Sequence, residues 1–159
     1  MKSLIVSMML ALVNQSAVAE SVVERGRYLI KISGCNDCHT KDYAPLGGKV
    51  AEAQWLLGDQ VGFAGPWGVS YAGNLRLRAA TMDWPQWQAR IQAGGLPPMP
   101  WPSVQAMTSQ DQQAIYAYLR ELGPAGEEMP ANRIPGQPIE TPYILFVPQM
   151  PDATTTKAN

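Results

Sequence analysis

The residues with the clearest chemistry lie together in one short segment, Cys35-Asn36-Asp37-Cys38-His39. It holds both cysteines and the one histidine of the 159-residue chain. On a helical turn, side chains three residues apart share a face, so the two sulfurs can reach the same edge of a planar ligand. The Cys-x-x-Cys-His pattern is the attachment signature of a c-type haem. The segment therefore predicts one haem, bound covalently by Cys35 and Cys38, with His39 as an axial ligand of the iron.

Two other kinds of site use cysteines at this spacing. A structural zinc site needs four Cys or His ligands, and the whole chain has two Cys and one His. A thioredoxin-like redox pair is expected near a βαβ pattern, which the sequence does not show. Both alternatives fit the chain less well than haem attachment does.

Residues 1–19 have the three parts of a secretory signal peptide. Lys2 gives a positive start, Leu4 to Val13 is apolar, and Ala17-Val18-Ala19 is a cleavage site of the A-x-A type. The apolar run is about half of the roughly 20 residues that span a bilayer, so no transmembrane segment is predicted. We expect an exported protein that begins at Glu20.

Composition limits the partners and the number of domains. Without Lys2, the chain has eleven basic and thirteen acidic side chains, which give a formal charge of −2. So balanced a chain does not predict binding to nucleic acid. About 140 residues fit one domain, which we place at residues 20–123. Residues 124–159 are predicted to form an extended Pro-rich tail, disordered from 154 to 159. Its apolar run, residues 143–147, is expected to dock on the domain.

Three segments have helical periodicity. The first starts with Ser21 and Glu24 placed as a capping box. Its predicted apolar stripe comprises Tyr28, Leu29 and Ile32. The second helix is expected from about Asp83 to Ala93 and the third from Ser109 to Leu122. Glycine is about 1 kcal/mol less favourable than alanine inside a helix. We therefore expect that Gly26 is present because another helix approaches closely there.

Residues 41–80 hold seven of the fourteen glycines and little periodicity. We predict a long loop that wraps the edge of the cofactor. Trp67, Tyr71 and Asn74, with Arg76 or Arg78, are expected to donate hydrogen bonds to the haem propionates. The alternative is a surface loop with packed aromatic side chains.

Met99 is the predicted sixth ligand of the iron, mainly by elimination. His39 is the sole histidine, and both cysteines are used in attachment. Of the five methionines after residue 19, Met99 alone lies in a stiff segment, where four prolines between 97 and 102 predict an extended path. The alternatives are a packing role for Met99 and ligation by Met107.

In the order of these parts, residues 21–123 resemble a class I cytochrome c. The likeness rests on four anchors: a first helix with Gly26 and Tyr28, Cys35-x-x-Cys38-His39-Thr40, Pro98-Met99-Pro100, and a last helix with Ala117-Tyr118-Leu119. The resemblance implies an all-α fold, a small helical domain around one haem, with the terminal helices crossing at Gly26 and Tyr118. The long segment between Thr40 and Met82 and the tail depart from the family pattern.

The resemblance also implies a function. Members of the family carry single electrons, and their haem is attached outside the bacterial inner membrane. We therefore expect a periplasmic electron carrier, not an enzyme, with a dehydrogenase as donor and a cytochrome or oxidase as acceptor. One alternative is the cytochrome subunit of a larger dehydrogenase complex. A second is a haem enzyme or gas sensor with an open sixth position.

Overall fold

The structure is a computed structural model that describes residues 20–150. The predicted signal peptide, residues 1–19, and the predicted disordered end, residues 154–159, lie outside that range. The helices are α1 (Val22–Ile32), α2 (Cys35–His39), α3 (Leu75–Thr81), α4 (Trp84–Ala93), α5 (Trp101–Gln105) and α6 (Ser109–Leu122), with a 3-10 turn at Glu52–Gln54. The strands are β1 (Gly62–Gly65), β2 (Gly68–Tyr71) and β3 (Tyr143–Leu145). Among the helices of the described range, none has the length and apolar character to cross a bilayer.

All three predicted helices are confirmed, and a side chain caps the start of each. At α1, the Ser21 hydroxyl accepts the Glu24 N–H and the Glu24 carboxylate accepts the Ser21 N–H, which completes the capping box. Asp83 caps α4 in the same way with Gln86. Thr108 caps α6. Local capping chemistry thus fixes where each helix starts.

Helices α1 and α6 cross at Gly26, as the family resemblance implies. Gly26 is buried, and a Cβ there would overlap the carbonyl group of Ala114 and lie 2.8 Å from the Cβ of Tyr118. The absence of a side chain at Gly26 therefore lets the two backbones approach.

The predicted apolar stripe of α1 is only partly right. Leu29 is buried, but Tyr28 and Ile32 are 48% and 59% exposed, and Ile30 is buried instead. The physical reason is the crossing itself, because Gly26 faces α6 and residues three and four positions later share its face.

The prediction of an all-α fold is wrong, because the chain also forms a three-stranded mixed sheet in the order β2-β1-β3. β1 and β2 form an antiparallel hairpin closed at the Gly65–Gly68 pair, and β3 lies parallel to β1. The hairpin and most of α3 fall inside the segment predicted to be a loop, residues 41–80. Its strands are four residues long and rich in glycine, which obscured the alternation that marks a strand.

The proline segment around Met99 is also less extended than predicted. Residues 96–100 are irregular, but α5 begins at Trp101 with Pro102 in its first turn. Proline is tolerated there because the first N–H groups of a helix have no partner within the helix. We call residues 96–100 the strap.

The tail docks on the domain through its backbone. Val69 and Arg133 exchange two backbone hydrogen bonds of 2.9 and 2.8 Å. The Asn74 amide donates to the carbonyls of Ala125 and Glu127 at 2.8 and 3.2 Å. Within the apolar run itself, β3 pairs with β1 and the Phe146 N–H donates to the Ala64 carbonyl at 2.7 Å. The predicted docking of residues 143–147 is therefore confirmed for the backbone. The side chains of residues 143–147 nevertheless stay 42–58% exposed.

Truncation after Gly123 is expected to lower the melting temperature. It removes both acceptors of the buried Asn74 amide, and an unsatisfied buried donor costs about 1–3 kcal/mol. It also removes β3 and leaves a two-stranded hairpin, which is marginally stable alone. Thermal unfolding followed by circular dichroism measures the change. Truncation after Pro148 is the control, since it keeps β3, and equal melting temperatures for both truncations would contradict the expectation.

Candidate haem site

The Cys-x-x-Cys-His segment forms one short helix directly after α1. Gly34 takes a left-handed conformation, with φ at +68°, which ends α1 and turns the chain straight into α2. Cys35 and Cys38 are then one turn apart on the same face, and His39 is the last residue of the helix. The structure therefore brings the three predicted attachment and ligand residues together.

Buried hydrogen bonds hold the end of α2 in place. The Thr40 hydroxyl donates to the side-chain oxygen of Asn36 at 2.7 Å and accepts the Leu56 N–H at 2.8 Å. The carbonyl of His39 accepts the Gly58 N–H at 2.8 Å. These bonds fix the backbone around His39, so the position from which its imidazole ring extends is also fixed.

The ring of His39 is oriented by a backbone carbonyl. Its Nδ1 lies 2.8 Å from the carbonyl oxygen of Gly73, and the residue is 9% exposed. A carbonyl oxygen can only accept, so Nδ1 carries the proton and the lone pair lies on Nε2. Burial lowers the pKa of His39 and favours the neutral ring. A neutral imidazole with its other nitrogen bonded to a carbonyl is the usual arrangement of a metal-binding histidine.

The two cysteines are not joined in a disulfide, and both have raised pKa values. Burial raises the pKa of Cys35 to about 11, and burial also raises the pKa of Cys38. A redox-active Cys-x-x-Cys has a lowered pKa, because the thiolate is the reactive form. The environment of this pair therefore counts against the thiol redox alternative.

The zinc alternative gains no support from the described part of the chain. Between residues 20 and 150, no three side chains of His, Cys, Asp or Glu are grouped as metal ligands. Cys35, Cys38 and His39 suit a haem better, because thioether attachment and one axial nitrogen need no fourth protein ligand in the same segment.

Residues 70–73, which we call the linking segment, contact both predicted axial-ligand regions. The Gly73 carbonyl accepts from His39, and the Ser70 hydroxyl donates to the carbonyl of Pro97, two residues before Met99. Three residues of extended chain span about 10 Å. The linking segment therefore ties the histidine and the strap to one short stretch of backbone.

Met99 differs from the other methionines of residues 20–150 in its surroundings. Met82 and Met107 pack against the hydrophobic core, Met129 lies against Gly58, and Met150 is 88% exposed. Met99 is half-buried in the strap, with its carbonyl accepting the Trp101 N–H at 2.8 Å. Met107, the alternative ligand, is thus packed against the core cluster, whereas Met99 is not among the residues packed against it.

Trp67 and Tyr71, two of the predicted propionate donors, form hydrogen bonds within the protein. The indole N–H of Trp67 donates to the carbonyl of Phe63 at 3.1 Å, across the hairpin turn. The Tyr71 hydroxyl lies 2.9 Å from the hydroxyl of Thr141 in the tail. Trp67 has one donor, which is used in the hairpin.

Asn74 and Arg76 also hold parts of the fold together. The Asn74 side-chain oxygen caps α3 by accepting the N–H groups of Arg76 and Leu77, while its amide binds the tail. The buried Arg76 donates from its three nitrogens to the carbonyls of Gly123, Ala53 and Leu122 at 2.6, 2.9 and 2.6 Å. Two of these bonds satisfy carbonyls at the end of α6. The propionate contacts of Asn74 and Arg76 stay predictions.

Sequence reasoning missed the residues that orient the predicted ligands. Gly73 and Ser70 act on His39 and the strap, one through its backbone carbonyl and the other through a hydroxyl. A backbone carbonyl has no sequence signal, since every residue carries one. Ser70 could have been found only with knowledge of the hairpin that places it beside the strap.

Comparisons of the chain with protein-family models, with curated proteins and with solved structures gave no match.

Proposed function

We propose that the chain is a periplasmic c-type cytochrome that carries single electrons between redox partner proteins through one covalently attached haem. The observation that supports this most strongly is the hydrogen bond from His39 Nδ1 to the Gly73 carbonyl, 2.8 Å long. It leaves Nε2 free to bind iron, on the helical turn that also carries Cys35 and Cys38.

In this proposal each residue has one role. The haem, when bound, supplies an iron that gains and loses one electron. Cys35 and Cys38 hold it through thioether bonds, and His39 provides one axial ligand. The Gly73 carbonyl orients the imidazole and raises its basicity. Met99 provides the second axial ligand, from a strap that Ser70 holds at Pro97.

The experiment that tests the proposal is mass spectrometry of denatured protein purified from a periplasmic fraction. We expect a chain that begins at Glu20 and retains the mass of one haem. Haem that leaves with acid and organic solvent would contradict covalent attachment. Recovery of the protein only from the cytoplasm would contradict export.

A second candidate is the cytochrome subunit of a larger oxidoreductase. It is favoured by the apolar side chains of β3, because Tyr143, Ile144 and Leu145 are 51%, 50% and 58% exposed. Beside them lies a groove of about 410 Å³ with Val69 and Ile134 in its wall. Exposed apolar surface of this kind marks sites of protein association. Size-exclusion chromatography of a native extract separates the candidates, since a subunit would elute its haem only with a large complex.

Replacement of Met99 by alanine is expected to open the sixth position of the iron. The far-red sulfur-to-iron absorption band should vanish and carbon monoxide should bind the reduced protein. The reduction potential should also fall, because a thioether ligand raises it. Optical spectra and a redox titration measure all three.

The control is Met107→Ala, which removes a methionine packed against the core. That variant should keep the band and the potential. If Met99→Ala also keeps them, the sixth ligand lies elsewhere. If the wild-type protein already binds carbon monoxide readily, the open-site alternative of a haem enzyme or gas sensor is favoured.

A further inference from the structure

The strand β3 lies at one edge of the sheet, and its outer side is open in the described part of the chain. β3 pairs with β1 alone, and the Pro142 carbonyl and the Phe146 N–H both bond to β1. Backbone groups alternate in direction along a strand, so those of Tyr143 and Leu145 point away from β1. Between residues 20 and 150, no backbone hydrogen bond from outside the sheet reaches these two residues. Such an unpaired edge is a template for another strand.

Two devices that commonly block an edge strand do not act on this one. The first is a charged side chain, and no Asp, Glu, Lys or Arg lies between Glu140 and Asp152. The second is a proline whose missing N–H leaves a gap in the outer row of donors. Pro142 is on the β1 side instead, as the hydrogen bond to its carbonyl shows. The outer side of β3 therefore keeps the N–H groups of Tyr143 and Leu145.

The side chains of the apolar run add surface to this open edge. All five residues from 143 to 147 are 42–58% exposed, and Ile134, on the wall of the same groove, is 67% exposed. Tyr143, Leu145 and Val147 share one face of the strand and line that groove. At about 100 Å² for each half-exposed side chain, two copies of this surface would bury about 1,200 Å² in total. A specific interface needs at least about 1,000 Å².

We propose that two copies of this chain pair through β3, antiparallel, about a two-fold axis at Leu145. A two-fold interface requires a surface that fits itself. The apolar run meets this condition because it brings no like charges together. A partner that recognises charge would need charges of opposite sign, which this surface lacks.

The register follows from which backbone groups point outward. With Leu145 on the axis, each Leu145 exchanges both N–H···O bonds with Leu145 of the second copy. Tyr143 then lies opposite Val147, an aromatic and β-branched pair of the kind that stabilises antiparallel strands. The result is one sheet of six strands that continues from one copy into the other.

The test is sedimentation equilibrium of the purified holoprotein over a range of concentrations. The wild-type chain should approach twice the monomer mass as its concentration rises. Leu145→Lys and Leu145→Glu each place two like charges at the axis, so each should raise the dissociation constant by about 100-fold or more. An equimolar mixture of these two variants should recover the dimer, because opposite charges then meet. A variant that had merely lost its fold would not recover in this way.

Ile32→Lys is the matched control, since Ile32 is 59% exposed on α1, outside the sheet. That variant should dimerise as the wild type does. A wild-type chain that stays monomeric at every concentration would overturn the inference, and so would a mixture of the Leu145 variants that does not recover the dimer. The pairing does not depend on haem attachment, so either result leaves the proposed function standing.

Two further results would assign the edge to another occupant and overturn the inference. Dimers that form only after truncation behind Met150 would show that residues 151–159 cover β3. Elution from a native extract only in a complex with a different protein would show that this protein covers it.

Discussion

A variant with alanine at both Cys35 and Cys38 is expected to contain no covalently bound haem. In the proposed function both thioether bonds would be lost, and the chain has no other cysteine to replace them. The variant should also unfold at a lower temperature, because a cofactor held by the native state stabilises that state. Mass spectrometry of the denatured protein and the haem stain of a denaturing gel measure the loss, and thermal unfolding measures the stability.

The matched control is Asp37→Ala in the same turn. Asp37 lies between the cysteines and is exposed, so its removal keeps both sulfurs and the geometry of α2. We expect that variant to retain one haem per chain. A full complement of covalent haem in the double cysteine variant would show that the sulfurs are not the attachment points, and Cys35 and Cys38 would then need another role.

Replacement of Gly26 by a larger residue is expected to cause the largest loss of stability. Alanine would gain about 1 kcal/mol of helix propensity in α1. Its Cβ would, however, overlap the Ala114 carbonyl, which is backbone and cannot turn aside as a flexible side chain can. Overpacking typically costs about 1–3 kcal/mol, so the clash outweighs the propensity. We expect Gly26→Ala to lower the free energy of unfolding by about 2 kcal/mol and Gly26→Val by more.

Denaturant unfolding measures these changes, with Lys31→Ala as the control. Lys31 is exposed in the last turn of the same helix, and substitutions at such positions usually change stability by less than about 0.5 kcal/mol. A Gly26→Ala variant as stable as the wild type would mean that α1 and α6 do not approach each other as closely as this structure has them.

The local signals in the sequence were enough to place α1, α4 and α6 and to assemble the attachment segment. Capping residues such as Ser21, Asp83 and Thr108 act within a few residues, so their effect can be read without knowledge of the fold. The same holds for the spacing of Cys35 and Cys38 on one helical turn. Gly26 also indicated the helix crossing, because glycine is unfavourable inside a helix unless a close tertiary contact requires it.

The sheet could not be predicted because its pairing depends on residues far apart in the chain. β1 alone is four residues with glycine at both ends, and it gains a parallel partner from residues 143–145 only when the tail folds back. Which face of α1 is buried was decided in the same way, by the crossing with α6. These outcomes depend on contacts over about 80 residues of chain, which carry no local pattern.

The sequence by itself determined the chemistry of this protein: one pair of cysteines, one histidine, their spacing, and the shortage of other ligands that points to Met99. Only the tertiary structure determines which groups orient the predicted ligand residues. The Gly73 carbonyl meets His39 across 34 residues of chain, and Ser70 meets Pro97 across 27. The tertiary structure also determines that Arg76 donates hydrogen bonds to carbonyls at the end of α6 and that Arg90 stacks on the Trp101 ring. The reason is physical, since a residue type fixes what a side chain can donate or bind, whereas its partner depends on which distant backbone the fold brings within about 3 Å.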